Sequence, residues 1–320
     1  MFAAPGPGRK TMAHNGAVKV LLVVNASASS VTARGRVVIQ KALSADHEVT
    51  VAETTRRGNA TRLAQNAAAS GTDVVVALGG DGTLNETANG LVGTDCALAA
   101  LPGGSTNVFA RTLGLPNDPV EATAPLLDAL DRGSIRRIGL GSVNGRHFLF
   151  HTGVGFDAAV VERVEKRGSL KRYAGHPLFI WASIATWATG YDRRRPHFRV
   201  ELPDGTVVDD GYFTVVQNTD PYTFLGNRAM HVSDASLDTP LTALTLRSLK
   251  LPTLLGVLGG ALGVGRPIRS LRKVDVRERL DGLTIVAARP VPYQVDGDHL
   301  GEVDRLVFRY EPNAIRLVVP

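Results

Sequence analysis

The run Gly79-Gly80-Asp81-Gly82-Thr83-Leu84-Asn85-Glu86 constrains this chain more than any other feature. The apolar stretch Asp73-Val74-Val75-Val76-Ala77-Leu78 ahead of it has the length and β-branched content of a buried parallel strand. Thr83 and Glu86 have the Thr-x-x-Glu spacing of a capping box, which predicts a helix opening there and running to Gly90 or Gly93. Strand, glycine turn and helix start together form an anion site, because free amides and the helix dipole converge on one point. An acid among phosphate-cradling glycines makes sense when a cation stands between acid and phosphate. Asp81 therefore points to Mg²⁺ and a nucleotide.

A second element of the same design follows. Ala97 to Leu101 reads as a strand, and Pro102-Gly103-Gly104-Ser105-Thr106-Asn107 turns into a helix carrying Val108, Phe109 and Arg111. Two such turns side by side belong at the carboxyl edge of a parallel sheet, where open α/β sheets bind ligands. From Val18 to about Arg137, strands alternate with amphipathic stretches, which implies a parallel sheet covered by helices. Beyond Ile135 the texture changes to short alternating runs such as Phe198-Arg199-Val200-Glu201-Leu202, followed by the hairpin turn Pro203-Asp204-Gly205-Thr206. The expected fold is an α/β N-terminal domain with a parallel sheet (residues 18–137) and a β-rich sandwich C-terminal domain (residues 138–312). Residues 1–17 read as a disordered leader, and one helical insertion, Lys171 to Tyr191, interrupts the β-rich part.

With these residues in hand, GGDGTLNE followed by PGGSTNVFAR resembles the diacylglycerol kinase catalytic-domain family, which includes sphingosine kinases and bacterial soluble lipid kinases. The likeness runs from about Val18 to the C-terminus. Val24-Asn25 stands where the family has an Asn-Pro turn, and Thr54, four residues before Gly58, matches a nucleotide-contacting threonine. Gly153-Val154-Gly155-Phe156-Asp157 resembles the family's Gly-x-Gly-Phe-Asp, and Gln294-Val295-Asp296-Gly297-Asp298 its late Val-Asp-Gly-Glu element. The GGDGT core is shared with NAD kinases and phosphofructokinases; the ensemble in this order is far more specific. The resemblance implies ATP and Mg²⁺ as cofactors and a return of residues 313–320 to the first domain. It also implies phosphate binding by the turn Gly79, Gly80, Asp81, Gly82 and Thr83 with Gly104, Ser105 and Thr106, while Asn25, Thr54 and Asn85 contact the nucleotide.

Phosphoryl transfer needs positioning, charge neutralisation and a base for the acceptor hydroxyl. Asp296 and Asp298 lie two apart, so on an extended segment both project to one face, as base and as orienter or metal contact. By resemblance Asp298 stands where the family has a general-base glutamate. The shorter aspartate either shifts the acceptor hydroxyl or reassigns the base to Asp81 or Asp296. A plain acidic hairpin turn is the alternative for Asp296-Gly297-Asp298. A second departure, Leu237-Asp238-Thr239-Pro240-Leu241, lacks the glycine and second acid of a structural Mg²⁺ run found in some relatives, so that site is not carried over. Asp157 lies near the acceptor pocket by resemblance; a helix-capping acid is the equal alternative.

Composition bounds the partners. The formal net charge of +6 favours acidic ones: nucleotide phosphate, anionic lipid or nucleic acid. No helix-turn-helix or aromatic RNA-binding pattern supports nucleic acid. The lone Cys96 excludes an intramolecular disulfide framework and reads as an inert residue at a strand start. His147 and His151, four apart on an expected strand, share a face without a third ligand and are read as satisfied structural residues. The apolar stretches Pro177 to Tyr191 and Leu251 to Val264 fall short of the ~20 apolar residues of a span. With no secretory signal in the leader, a cytoplasmic protein visiting the inner membrane surface is expected. The segment Leu178–Trp187, with Trp181 and Trp187 between basic clusters, suits an interfacial contact with anionic lipid, a core helix being the bland alternative.

These readings converge on an ATP- and Mg²⁺-dependent lipid kinase acting on a hydroxyl of a lipid such as diacylglycerol, of a size compatible with a homodimer. Two alternatives stay open: a kinase of a soluble acceptor such as NAD, and a non-catalytic lipid or nucleotide sensor.

Overall fold

The computed structural model describes residues 17–165, 183, 185–187 and 191–320. Residues 1–16 of the expected leader and most of the expected insertion Lys171–Tyr191, including Trp181, lie outside them.

The N-terminal part runs β1 (Lys19–Val24), α1 (Ala33–Leu43), β2 (Glu48–Glu53), α2 (Asn59–Ala69), β3 (Val74–Gly79), α3 (Asp81–Leu91), β4 (Ala97–Pro102), α4 (Val108–Thr112) and α5 (Thr123–Asp131). The strands pair in parallel in the order β4-β3-β1-β2. Every residue of β3 and β4 is buried, as interior strands covered on both faces must be, whereas edge strand β2 alternates with solvent. Right-handed crossovers send α2 and α3 to one face, where they pack together, and α1 to the other, beside α5. Small side chains allow the first packing: Ala60, Ala64 and Ala67 are buried in α2, and a methyl on Gly90 of α3 would lie 2.5 Å from the Thr61 carbonyl oxygen. Strand order reverses between β1 and β3, so the carboxyl ends of these two strands border the crevice where such sheets bind ligands.

The remainder is β-rich. It comprises β5 (Ile135–Val143), β6 (Arg146–Phe148), β7 (His151–Gly155), α6 (Phe156–Glu165), β8 (Phe198–Glu201), β9 (Val207–Gly211) and β10 (Phe213–Gln217), then the hairpin β11 (Thr223–Leu225) and β12 (Arg228–Met230). After these come β13 (Leu241–Leu246), α7 (Leu251–Ala261), β14 (Val274–Leu280), β15 (Gly282–Val295) and β16 (Asp298–Val318). Phe148, Phe308, Ile285 and Val295 anchor its core, with the two phenylalanine rings edge to face at 6.4 Å.

Among the described residues fourteen strands form one sheet, and β16 joins its two parts. Over Leu306–Arg309 this strand pairs with β15, and at Arg316 and Leu317 it runs parallel to β4. Its register against β5 shifts between Glu311 and Ile315, around Asn313 at φ +55°. The last residues thus lie beside the parallel sheet, and β5 crosses the expected boundary at residue 137.

Two local expectations are corrected. The capping box at Thr83 and Glu86 is absent: α3 begins at Asp81 after Gly80, so Thr83 is already inside the first turn and Glu86 points to α2. Likewise, His147 and His151 do not share one strand, because the chain bends at Leu149-Phe150 between β6 and β7.

Candidate active site

Two glycine turns meet at the carboxyl ends of β3 and β4. The Gly103 amide donates to the Gly79 carbonyl at 2.7 Å. A methyl on Gly103 would stand 2.8 Å from the Gly79 Cα, and one on Gly104 would stand 2.8 Å from the Gly80 Cα. The paired glycines therefore let two backbones touch, which no side chain at these positions permits. Gly79 also faces Thr83, whose side chain would meet a methyl there at 2.7 Å. Asn25, just past β1, donates from Nδ2 to Thr83 Oγ1 at 3.0 Å and ties the first turn to the switch point. Thr54 stands at the end of β2, its amide donating to the Val24 carbonyl. Ser105 is exposed and Gly104 and Thr106 are partly exposed on the same rim. Asn107 holds the second turn at φ +51°, with Oδ1 accepting from the Gly104 amide at 2.7 Å and Nδ2 donating to the Gly104 carbonyl at 2.8 Å.

The two acids of the first motif each cap a neighbouring helix. Asp81 accepts from the amides of Val108 at 3.0 Å and Phe109 at 3.2 Å, at the start of α4. Glu86 accepts from the amides of Gly58 at 2.7 Å and Ala60 at 3.2 Å, at the start of α2, whose N-cap glycine has no side chain to offer. Burial pushes the Asp81 carboxyl up to about 6, with nearby Asp298 pushing the same way and the two amides and Arg111 opposing.

Asp81 therefore holds its proton more readily in the folded chain than in the unfolded one. Between about pH 4 and pH 6 the folded state binds more protons, so stability falls as pH rises through that window. We expect Asp81→Asn, which mimics the neutral carboxyl, to make this fall shallower. Urea unfolding at pH 4.5 and pH 6.5 (values on the order of those bounding the window) reads the slope; an unchanged slope would count against a raised Asp81.

Asp298 comes from the other part of the molecule. It opens β16 opposite Val295, across the two-residue turn Asp296-Gly297, whose φ values of +47° and +81° suit a type I′ hairpin. Its carboxylate pairs with Arg57 Nη2 at 3.1 Å and lies against the first turn of α3, where a methyl on Gly82 would be 3.2 Å from Oδ2. A side chain at Gly82 would push the acid back by a few tenths of an ångström. Arg57, Asn85, Glu86, Asn89 and Arg146 line an open cleft beside it.

Asp296 does not project with Asp298, because the turn, not an extended segment, holds it. It is 2% exposed. Its oxygens accept from the amides of Leu149 at 2.7 Å, Phe150 at 3.0 Å and His151 at 3.1 Å, and from Asn85 Nδ2 at 2.7 Å. Burial pushes its carboxyl up to about 7 against the pull of these donors. Asn85, expected among the nucleotide contacts, is buried; it also donates to the His147 carbonyl at 2.9 Å and accepts from Arg146 Nη2 at 2.8 Å.

Asp157, in the first turn of α6, is buried and separate from this cleft's lining. Its oxygens accept from the Tyr222 hydroxyl and from Gln294 Nε2 at 2.8 Å, and burial raises its pKa. The His151 ring is stacked 4.6 Å from Tyr222 and pushed down to about 3 by burial. Its Nδ1 has no partner among the described residues, so the expectation of a satisfied histidine is corrected; His147, by contrast, meets Glu311 Oε2 at 2.9 Å. Cys96 is buried just before β4, its thiol pushed up to about 12.

Among the described residues no cluster of three acid, histidine or cysteine side chains could hold a metal alone. Mg²⁺ between phosphates takes only one or two carboxylates, so Asp81 fits that donor set. Sequence reasoning missed Arg57, Arg146, Tyr222 and the reach of Asp81 and Glu86 to other helices. Local spacing carries no signal for partners 27 and 28 residues away.

Residues 19–143 match the family model described as diacylglycerol kinase catalytic domain. The chain is 32% identical over 312 residues to a Pseudomonas aeruginosa protein named "Probable lipid kinase YegS-like", covering 94% of each. It is 41% identical to the diacylglycerol kinase of Bacillus subtilis over 120 residues, 37% of this chain and 39% of that one. Among solved structures, a diacylglycerol kinase from Bacillus anthracis superposes with a TM-score of 0.70 over 94% of this chain and 97% of that one; at 21% identity this likeness bears on the fold alone.

Proposed function

The chain belongs to the diacylglycerol kinase catalytic-domain family, and from that premise we propose that it is an ATP- and Mg²⁺-dependent lipid kinase. It transfers the γ-phosphate to a lipid hydroxyl, with diacylglycerol as acceptor and phosphatidic acid as product. One observation carries the reading: the Asp298 carboxylate, delivered by the β-rich part, rests on the glycine start of α3 in the α/β part.

The helix start and the two glycine turns receive phosphate oxygens, since the first-turn amides of α3 have no intrahelical acceptor. Arg57 holds Asp298 at the mouth of the cleft and adds positive charge there. Mg²⁺, held by Asp81 and the phosphates, supplies charge neutralisation when bound. Asp298 takes the proton of the acceptor hydroxyl. The freed oxygen bonds to the γ-phosphorus as the bond from that phosphorus to the β,γ-bridging oxygen breaks, and ADP leaves with the electron pair. By resemblance Asp157, held by Tyr222 and Gln294 outside that cleft's lining, is assigned to the acceptor side.

The test is a labelled-phosphate transfer assay with ATP and Mg²⁺, offering diacylglycerol in mixed micelles beside NAD. Labelled phosphatidic acid, abolished by chelating Mg²⁺, is the expected result. Label in NADP would replace the proposal with a soluble-acceptor kinase, and ATP binding without transfer to either would make the protein a sensor.

A further inference from the structure

Helix α7 presents three of its four leucines to solvent. Leu251, Leu255 and Leu258 follow one another at helical spacing and are 50%, 58% and 45% exposed; Val264, just beyond the helix, is 58% exposed. An adjoining face is the packed one, with Leu254, Val257 and Ala261 in one apolar cluster with Leu246, Leu249 and Ile268. Glycines hold this orientation. A methyl on Gly260 would meet Ile268 at 2.6 Å and one on Gly259 would meet the Val264 carbonyl at 2.8 Å, so the returning loop lies tight against the helix. Three glycines in eleven residues cost the helix about 1 kcal/mol each relative to alanine. Close packing of one face therefore sustains it, and the leucine face is left without a partner among the described residues.

Charge says what covers that face. Residues 247–273 contain six basic side chains and no acidic one. Arg247 and Arg269 are engaged by Asp210 and Asp234. Lys250 precedes the helix and Arg266, Arg272 and Lys273 follow it; all four are exposed and make no ion pair among the described residues. Near the start of the helix Trp187 donates from Nε1 to the Leu249 carbonyl at 2.8 Å, with the Arg193 guanidinium 4.3 Å over its ring. An exposed apolar strip between cations, with a tryptophan at one end, is the chemistry of an interface with anionic lipid headgroups. A water-soluble protein partner would not require cations at both ends of the strip.

We propose that the outer face of α7 docks on an anionic bilayer, with Leu251, Leu255 and Leu258 entering the acyl boundary and Lys250, Arg266, Arg272 and Lys273 among the headgroups. The surface rests on the lipid-kinase reading for its bilayer-borne acceptor. Flotation reads docking without phosphoryl transfer, and transfer to micelle-dispersed acceptor reads catalysis without a bilayer, so the two readings fail separately.

The experiment is flotation of the full chain with phosphatidylcholine vesicles, with and without phosphatidylglycerol. Wild type is expected to float only with the anionic vesicles, and less in high salt. The double variant Leu255→Gln/Leu258→Gln is expected to lose about tenfold or more in partition while keeping wild-type thermal unfolding and micelle activity. A polarity-sensitive fluorophore attached after Leu255→Cys should shift to the blue on adding anionic vesicles, and one attached after Val37→Cys on α1 should not; buried Cys96 leaves labelling selective. Equal flotation of the double variant, or no shift at position 255, would overturn the proposal. So would a wild-type dimer that ignores vesicles and dissociates in the double variant, which assigns the face to a second copy.

Discussion

Asp298→Asn is expected to lower kcat by about 10²–10⁴-fold with little change in the unfolding midpoint. The substitution keeps size and shape and leaves Arg57 a carbonyl oxygen to donate to, so the hairpin and its contact with Gly82 persist. On the proposed mechanism, what disappears is the proton acceptor. The side chain is 25% exposed, so the loss of its charge costs the folded state little. Single-turnover phosphate transfer in mixed micelles gives the chemical step, and a parallel ATP-binding measurement shows whether the nucleotide still enters. A drop smaller than about tenfold would move the base to another acid. Asp298→Glu, one methylene longer but still a carboxylate, should retain part of the activity that Asp298→Asn loses.

Asp296, two residues away, should respond in the opposite way. Asp296→Ala is expected to destabilise the chain by about 3–5 kcal/mol, because the amides of Leu149, Phe150 and His151 and the Asn85 side chain lose their acceptor inside the protein. Asp296→Asn separates the causes. Asparagine tolerates the left-handed conformation at φ +47°, so the turn survives, but its NH₂ group faces N–H donors where a carboxylate oxygen stood. Its expected cost is about 1–3 kcal/mol. Urea unfolding measures both. Activity per folded molecule in either variant should exceed that of Asp298→Asn; an Asp296→Ala protein as stable as wild type would remove the buried-anchor role.

The contrast between these acids explains how much of the molecule could be read in its sequence. The all-apolar runs of β3 and β4 declared buried parallel strands, because interior strands of such a sheet have no solvent face to mark. Both glycine turns were legible for the same reason that they exist: two backbones in contact exclude side chains. The Asp-Gly turn was visible, yet period-two counting treated Asp296 as extended and put it beside Asp298. A positive φ breaks that alternation, and alternation by itself cannot announce where this happens. The capping-box reading of Thr83 and Glu86 failed because helix starts can be satisfied through space. Asp81 and Glu86 cap α4 and α2, and Asn85 reaches Asp296 across 211 positions of chain. The outward face of α7 was seen only as an apolar stretch; which side of it is packed depends on where the loop through Ile268 returns.

Strand β16 has a consequence for how this protein can be taken apart. Its beginning carries Asp298, the acid proposed as the base, and its end lies against β4 in the parallel sheet. A fragment ending near Val143 would contain the glycine turns but would lack the strand beside β4 at Arg316 and Leu317, baring a hydrogen-bonding edge in the most apolar layer of the molecule. Bare edges of that kind recruit other chains. Neither part is a portable cassette: grafting, swapping or expressing one alone cuts a strand that both require, and inheritance of the two is tied to a single length of backbone.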